Sequence, residues 1–152
     1  MITYTKANLT HVKEMMTLVE PFVEDGTILM RSADEISTNI RSYMLAFDED
    51  RLIGFTALHV HTVGLAEIRS LIVCEESQAK GVGKELVSLA LKEGELLGLK
   101  EVLVLTYKQA FFEKLGFVEI LKESLPEHKI WADCIKCKHF PICNEVSLIK
   151  KY

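Results

Sequence analysis

A chain of 152 residues, 49% hydrophobic and 26% charged with three prolines, suits one folded domain over 1–152 and leaves no disordered or low-complexity tract. Its net charge of −4 argues against nucleic acid as a partner, because neutralising phosphates takes clustered Lys and Arg. No apolar run reaches the roughly 20 residues that span a bilayer and no export signal opens the chain, so the expectation is a cytoplasmic protein with no membrane role and reduced cysteines.

Ile2 to Lys6 alternates and predicts a first strand. Asn8 is a helix N-cap, and Leu9, Val12, Met15, Met16 and Val19 recur at helical spacing up to Pro21. A second helix starts at Ser32, where Glu35 completes a capping box and Ile36 and Ile40 form the apolar side. Tyr43 to Phe47 and Leu52 to His61 are strands joined by a polar link of hairpin type, and Leu65 to Cys74 is the next, buried on at least one face. A helix from Lys84 to Leu97 ends at Gly98, a buried strand covers Glu101 to Thr106, and a short helix from Gln109 to Leu115 stops at Gly116. Ser124 to Asn144 has little periodicity, and Val146 to Ile149 predicts a closing strand. Such an order predicts a mixed α/β sheet.

Between the strand ending at Cys74 and the helix lies Gln78-Ala79-Lys80-Gly81-Val82-Gly83. A glycine turn leading into a helix presents unpaired backbone N–H groups to an anion, and glycine lets the backbone come close to it. A dinucleotide fingerprint would need glycine where Leu86 stands, and a nucleoside-triphosphate loop would need Ser or Thr where Glu85 stands. The pattern Gln/Arg-x-x-Gly-x-Gly/Ala does fit, and in it the chain resembles the GNAT superfamily of acyl-CoA-dependent N-acetyltransferases. Phe111-Phe112-Glu113-Lys114-Leu115-Gly116-Phe117 resembles that superfamily's second motif. Ala66-Glu67-Ile68 lies where many members carry a catalytic carboxylate. More narrowly, Ala57-Leu58-His59-Val60, Leu105-Thr106-Tyr107 and the tail around Trp131-Ala132-Asp133-Cys134 look like the short amino-acid N-acetyltransferases of the N-acetylglutamate synthase type. This likeness implies a central mixed, mostly antiparallel sheet flanked by helices. It also implies transfer of acetyl from acetyl-CoA to the α-amino group of glutamate or a near relative, the first step of arginine biosynthesis.

Each role then falls to particular residues. The backbone N–H groups of Lys80 to Lys84 are expected to hold the cofactor diphosphate, and the resemblance implies that the turn from Gln78 to Lys84, with Leu71, Ile72 and Val73 and with Phe112 and Lys114 of the second motif, contacts the cofactor. The side chains of Lys80 and Lys84 either add charge there or are solvated. Acetyl transfer needs a base for the ammonium, a donor for the oxyanion and a proton for the thiolate. Glu67 is the candidate base, against the reading of a surface Glu–Arg pair. By the two-residue repeat of a strand, Glu67, Arg69 and Leu71 share one face, and His59 and His61 share one face of theirs. The resemblance gives the oxyanion to a strand N–H near Leu71. Many members carry a tyrosine where this chain has Phe112, so either Tyr107 protonates the thiolate or the thiolate leaves unassisted. Carboxylates of the substrate call for cationic forks, with Arg31 and Arg69 as candidates and Lys129 as a weaker one.

Cys134-x-x-Cys137 and Cys143 have zinc-like spacing, with Asp133, His139 or His128 as a fourth ligand. The alternative is a set of reduced thiols shaping a loop over the substrate, and any metal would be structural. Cys74 reads as packed core. The acceptor remains open: another small amine, a protein N-terminus, or no acceptor at all in a non-catalytic acyl-CoA sensor. Oligomeric state is open too, with a homodimer as one option.

Overall fold

Residues 1–121, 124 and 145–152 are described by the computed structural model. Seven strands, β1 (Ile2–Lys6), β2 (Tyr43–Asp48), β3 (Arg51–Val60), β4 (Leu65–Val73), β5 (Glu101–Thr106), β6 (Val118–Ile120) and β7 (Val146–Lys151), form one sheet in the order β1-β2-β3-β4-β5-β7-β6. Every neighbouring pair is antiparallel except β4 with β5. The mixed, mostly antiparallel sheet expected from the sequence is therefore present. Strand β6 was not expected; it is three residues long and, among the described residues, pairs with β7 alone.

Helices α1 (Val12–Glu24) and α2 (Ala33–Thr38) cover one face and α3 (Val82–Leu97) the other, with α4 (Gln109–Glu113) near the end of β7. The sequence explains the division. Adjacent β3 residues point to opposite faces, so Ala57 joins Met15 of α1 and Ile36 of α2, whereas Leu58 joins Val87 and Ala90 of α3. Cys74 is buried, as expected, and its thiol donates to Ser77 Oγ at 3.4 Å.

Both ends of the first helix depart from expectation. Asn8 caps a 3₁₀ turn at Leu9–His11 rather than α1 itself, and α1 runs past Pro21 to Glu24. A proline removes its own N–H bond but still accepts, and Asp25 N–H closes on its carbonyl at 3.1 Å. Phe22, one residue on, packs into the core under the helix. At α2, Ser32 does accept from Glu35 N–H, but the Glu35 carboxylate pairs with Arg31 instead of completing a capping box.

The bend that opens the sheet lies in β4. Phe55 pairs with Ile72 and Ala57 with Arg69, so two steps along β3 match three along β4. The surplus sits opposite Thr56, where Ser70 adopts a left-handed φ of 58° and the Thr56 hydroxyl donates to Arg69 C=O at 3.3 Å. An extra residue of this kind bends and twists its strand. It also shifts the side-chain alternation, putting Arg69 and Ile72 on one face and turning Leu71 to the other. Period-two geometry had grouped Leu71 with Glu67 and Arg69; the bulge separates them.

Candidate active site

Parallel pairing of β4 and β5 covers only Leu65↔Glu101 to Ile68↔Val104, although β4 continues to Val73 and β5 to Thr106. Beyond Ile68 the strands diverge, leaving a cleft of about 570 Å³ between the bulged half of β4 and the Leu105 to Lys108 segment. The splaying that sequence alone does not reveal is thus built from one surplus residue. Leu71 lies in the diverging stretch and lines the cleft, as does Val73.

One end of the cleft is the N-terminus of α3. Gly81 precedes it with a left-handed φ of 76°, and a Cβ there would meet nothing within 4 Å. Glycine is required at this position by backbone conformation, and the turn is open outside. The helix's first bond to the turn runs from Glu85 N–H to Gly81 C=O at 3.1 Å, so the amides of Val82, Gly83 and Lys84 precede the first N–H that donates within the helix. Gln78 donates from Nε2 to Val73 C=O at 3.1 Å, folding the turn back onto the end of β4. Gln78, Gly81, Gly83 and the exposed Lys84 line the cleft. An open turn with leading amides and the positive end of a 16-residue helix fits a diphosphate.

The other end carries charge of both signs. Glu67 is 2% exposed yet borders the cleft, and its Oε1 lies 2.8 Å from His61 Nε2. Arg69 Nη2 lies 3.0 Å from His59 Nδ1. A guanidinium only donates, so Nδ1 of His59 must carry the lone pair. The two imidazoles meet edge to face with centroids 4.8 Å apart, on one side of the sheet as expected. Glu67 and Arg69 are therefore each held by a histidine in a part-buried network, not as a solvated surface pair. Arg31, 12% exposed at its side chain, donates to Glu35 at 3.1 Å and also lines the cleft. Burial pushes the Tyr43 phenol above its ordinary value, and Arg31 and Arg69 both pull it back. Both cations thus act on the same residue at this end of the cleft.

At the mouth stands Tyr107, 45% exposed, just past the end of β5. Phe112 is packed edge to face between Phe111 and Phe117, with centroids 5.0 and 5.4 Å away, and reaches the cleft wall. Other expected residues lie off the described lining. Ile72 and Val82 bury their side chains in the core, Ala79 and Lys80 are exposed before Gly81, and Lys114 is exposed after α4. Lys129, Cys134, Cys137 and Cys143, with Asp133, His128 and His139, fall outside the described residues. Among the described residues no group of three His, Cys, Asp or Glu could hold a metal.

Sequence reasoning missed the pairing of His61 with Glu67 and of His59 with Arg69, and it missed Lys108 and Glu145 on the cleft wall. A signal was available. His59 and Glu67 stand equally far on either side of Val63, so a hairpin turning there sets them opposite each other, which is the observed register.

The profile of the acetyltransferase (GNAT) family matches residues 12–117. The chain belongs to that family and is an acetyl-CoA-dependent N-acetyltransferase. An uncharacterized N-acetyltransferase of Chlorobaculum tepidum is 38% identical over 144 residues, covering 95% of this chain and 92% of its own length. An amino-acid acetyltransferase of Mycobacterium tuberculosis is 29% identical over 76% of this chain and 67% of its own. That of Ralstonia nicotianae is 29% identical over 82% of this chain, which spans only 28% of the longer enzyme. Among solved structures, N-acetylglutamate synthase from Neisseria gonorrhoeae with coenzyme A and N-acetyl-glutamate superposes with a TM-score of 0.88 at 20% identity, over 99% of this chain and 35% of that one. A Mycobacterium tuberculosis protein solved with CoA gives 0.83 at 22% identity, covering 99% of both. At such identities these two likenesses speak to fold. No helix among the described residues is long and apolar enough to cross a membrane.

Proposed function

We propose that this enzyme acetylates the α-amino group of a free amino acid with two carboxylates, glutamate or a close analogue, as in the first step of arginine biosynthesis. The observation that carries this reading is the presence of Arg31 and Arg69 at one end of the cleft, beside the carboxylate of Glu67. Two guanidiniums suit two carboxylates, each able to form a forked pair. A polyamine or aminoglycoside would want carboxylates in those places. The names of the amino-acid acetyltransferases among its relatives support the same reading.

Acetyl-CoA brings the activated acyl group and a thiolate that departs readily. Amides of Val82, Gly83 and Lys84 hold its diphosphate. The N–H of Leu71, on the diverging half of β4, donates to the thioester oxygen as charge develops. Glu67 takes one proton from the substrate ammonium, leaving the neutral amine that attacks. As the N–C bond forms and the C–S bond breaks, Tyr107, at the mouth, supplies a proton to the thiolate, and the second proton that the attacking nitrogen sheds on becoming the amide restores the phenol through solvent.

The test is release of free thiol from acetyl-CoA across a panel of amino acids and amines, with the product identified by mass. L-Glutamate or a close dicarboxylic analogue should give the highest kcat/KM. Preference for a polyamine or a protein N-terminal peptide would overturn the substrate assignment.

A further inference from the structure

We propose that His61 is a positioning residue for the general base, its Nε2–H holding Oε1 of Glu67 so that the proton leaving the substrate ammonium is directed to Oε2. This inference rests on the reading of Glu67 as the base. Its structural ground is the 2.8 Å contact between two side chains only 4% and 2% exposed. His61 is absent from the described lining of the cleft, whereas Glu67 is on it, so the imidazole stands behind the carboxylate.

The imidazole is itself held from two directions. Its backbone N–H donates to Leu65 C=O at 2.9 Å, which closes the β3–β4 turn and fixes where the side chain starts. Its ring meets the edge or face of His59, and His59 is tied through Nδ1 to Arg69. A glutamate has three side-chain torsions to fix before its carboxylate has a single orientation. A donor fixed at both ends restricts the carboxylate to one orientation, and orientation of a reacting group is a large part of catalytic rate.

The proton balance follows. Deprotonated Glu67 only accepts, so His61 Nε2 carries the hydrogen in the resting pair. With Oε1 so engaged, the substrate N–H bond breaks and the new O–H bond forms at Oε2. His61 keeps its own proton throughout, and Glu67 returns the transferred one to solvent after product leaves. No oxidant or further reactant is needed.

The test is steady-state kinetics of His61→Phe, His61→Gln, Glu67→Gln and the His61→Phe/Glu67→Gln double variant, with acetyl-CoA affinity measured by calorimetry. His61→Phe should lose about 100-fold in kcat, the scale of a misplaced reacting group, with acetyl-CoA affinity within about twofold of wild type. His61→Gln keeps an N–H donor and should recover most of that loss. In the Glu67→Gln background, His61→Phe should cost nothing further, because it acts through the group already removed. Wild-type kcat in His61→Phe, equal losses in Phe and Gln variants, or losses that multiply in the double variant would overturn the proposal. If phenylalanine prevents folding, His61→Leu takes its place with the same expectations. Wild-type kcat in Glu67→Gln would instead remove the base assignment, whatever the His61 variants do.

Discussion

A carboxylate buried to the extent of Glu67 must have donors, because an unpaired buried charge is very costly. His61 is one of them, and this pairing sets what Glu67 can do. Replacing Glu67 with Gln keeps the shape and a hydrogen-bonding group but removes the base. We expect kcat to fall by about 10²–10⁴-fold with the acetyl-CoA dissociation constant unchanged, as kinetics and calorimetry together will report. At this scale the sequence was partly legible. Glu67, Arg69, Arg31 and Tyr107 were named from their chemistry together with the family resemblance, and all four line the cleft. The histidine partners were missed because only the register about Val63, and not spacing along either strand, brings them near Glu67 and Arg69. The second half of the Ser32 capping box failed for a related reason: Glu35 had a stronger partner in Arg31, a guanidinium one turn back.

Strand β4 shows how an element can be legible in extent and not in shape. Its apolar run marks the strand, but nothing in Arg69-Ser70-Leu71 announces the extra residue that turns Leu71 to the other face. Strand β6 escaped notice because three residues carry too little pattern to read. The two glycines that frame this region should respond differently to substitution. At Gly54 a Cβ would lie 2.7 Å from Ile72 C=O across the β3–β4 pair, so Gly54→Ala must push two strands apart. It should lower stability by about 1–3 kcal/mol in denaturant unfolding. At Gly81 there is room but the backbone is left-handed, so Gly81→Ala should cost about 1 kcal/mol of stability. Relaxing that turn should also weaken acetyl-CoA binding in calorimetry, whereas Gly54→Ala should act through stability first.

Over the whole molecule, a chain of net charge −4 gathers Arg31, Arg69, Lys84 and Lys108 around one cleft, with Glu67 and Glu145 as the carboxylates among its described lining. The cleft is locally cationic against an anionic surface. Screening by salt should therefore raise the KM of a dicarboxylic amino acid, and raise it less for an uncharged analogue. Steady-state rates over a range of ionic strength will check this; equal dependence for both substrates would argue that the cations are not at the acceptor site. The order of strands and helices was readable because each element has its own apolar period. The divergence of β4 from β5, which makes the cleft, was not readable because it arises from pairing between distant strands.

The central claim is that the divergence of β4 and β5 is the acetyl-transfer site, with the cofactor on the α3 amides and the acceptor's carboxylates on Arg31 and Arg69. The most direct measurement is a crystal structure with coenzyme A and an N-acetylated dicarboxylic amino acid. The account predicts the diphosphate on the amides of Val82, Gly83 and Lys84, and the two carboxylates on Arg31 and Arg69 with the amide nitrogen facing Glu67. A diphosphate seated away from the start of α3, or an acceptor bound without either arginine, would contradict it.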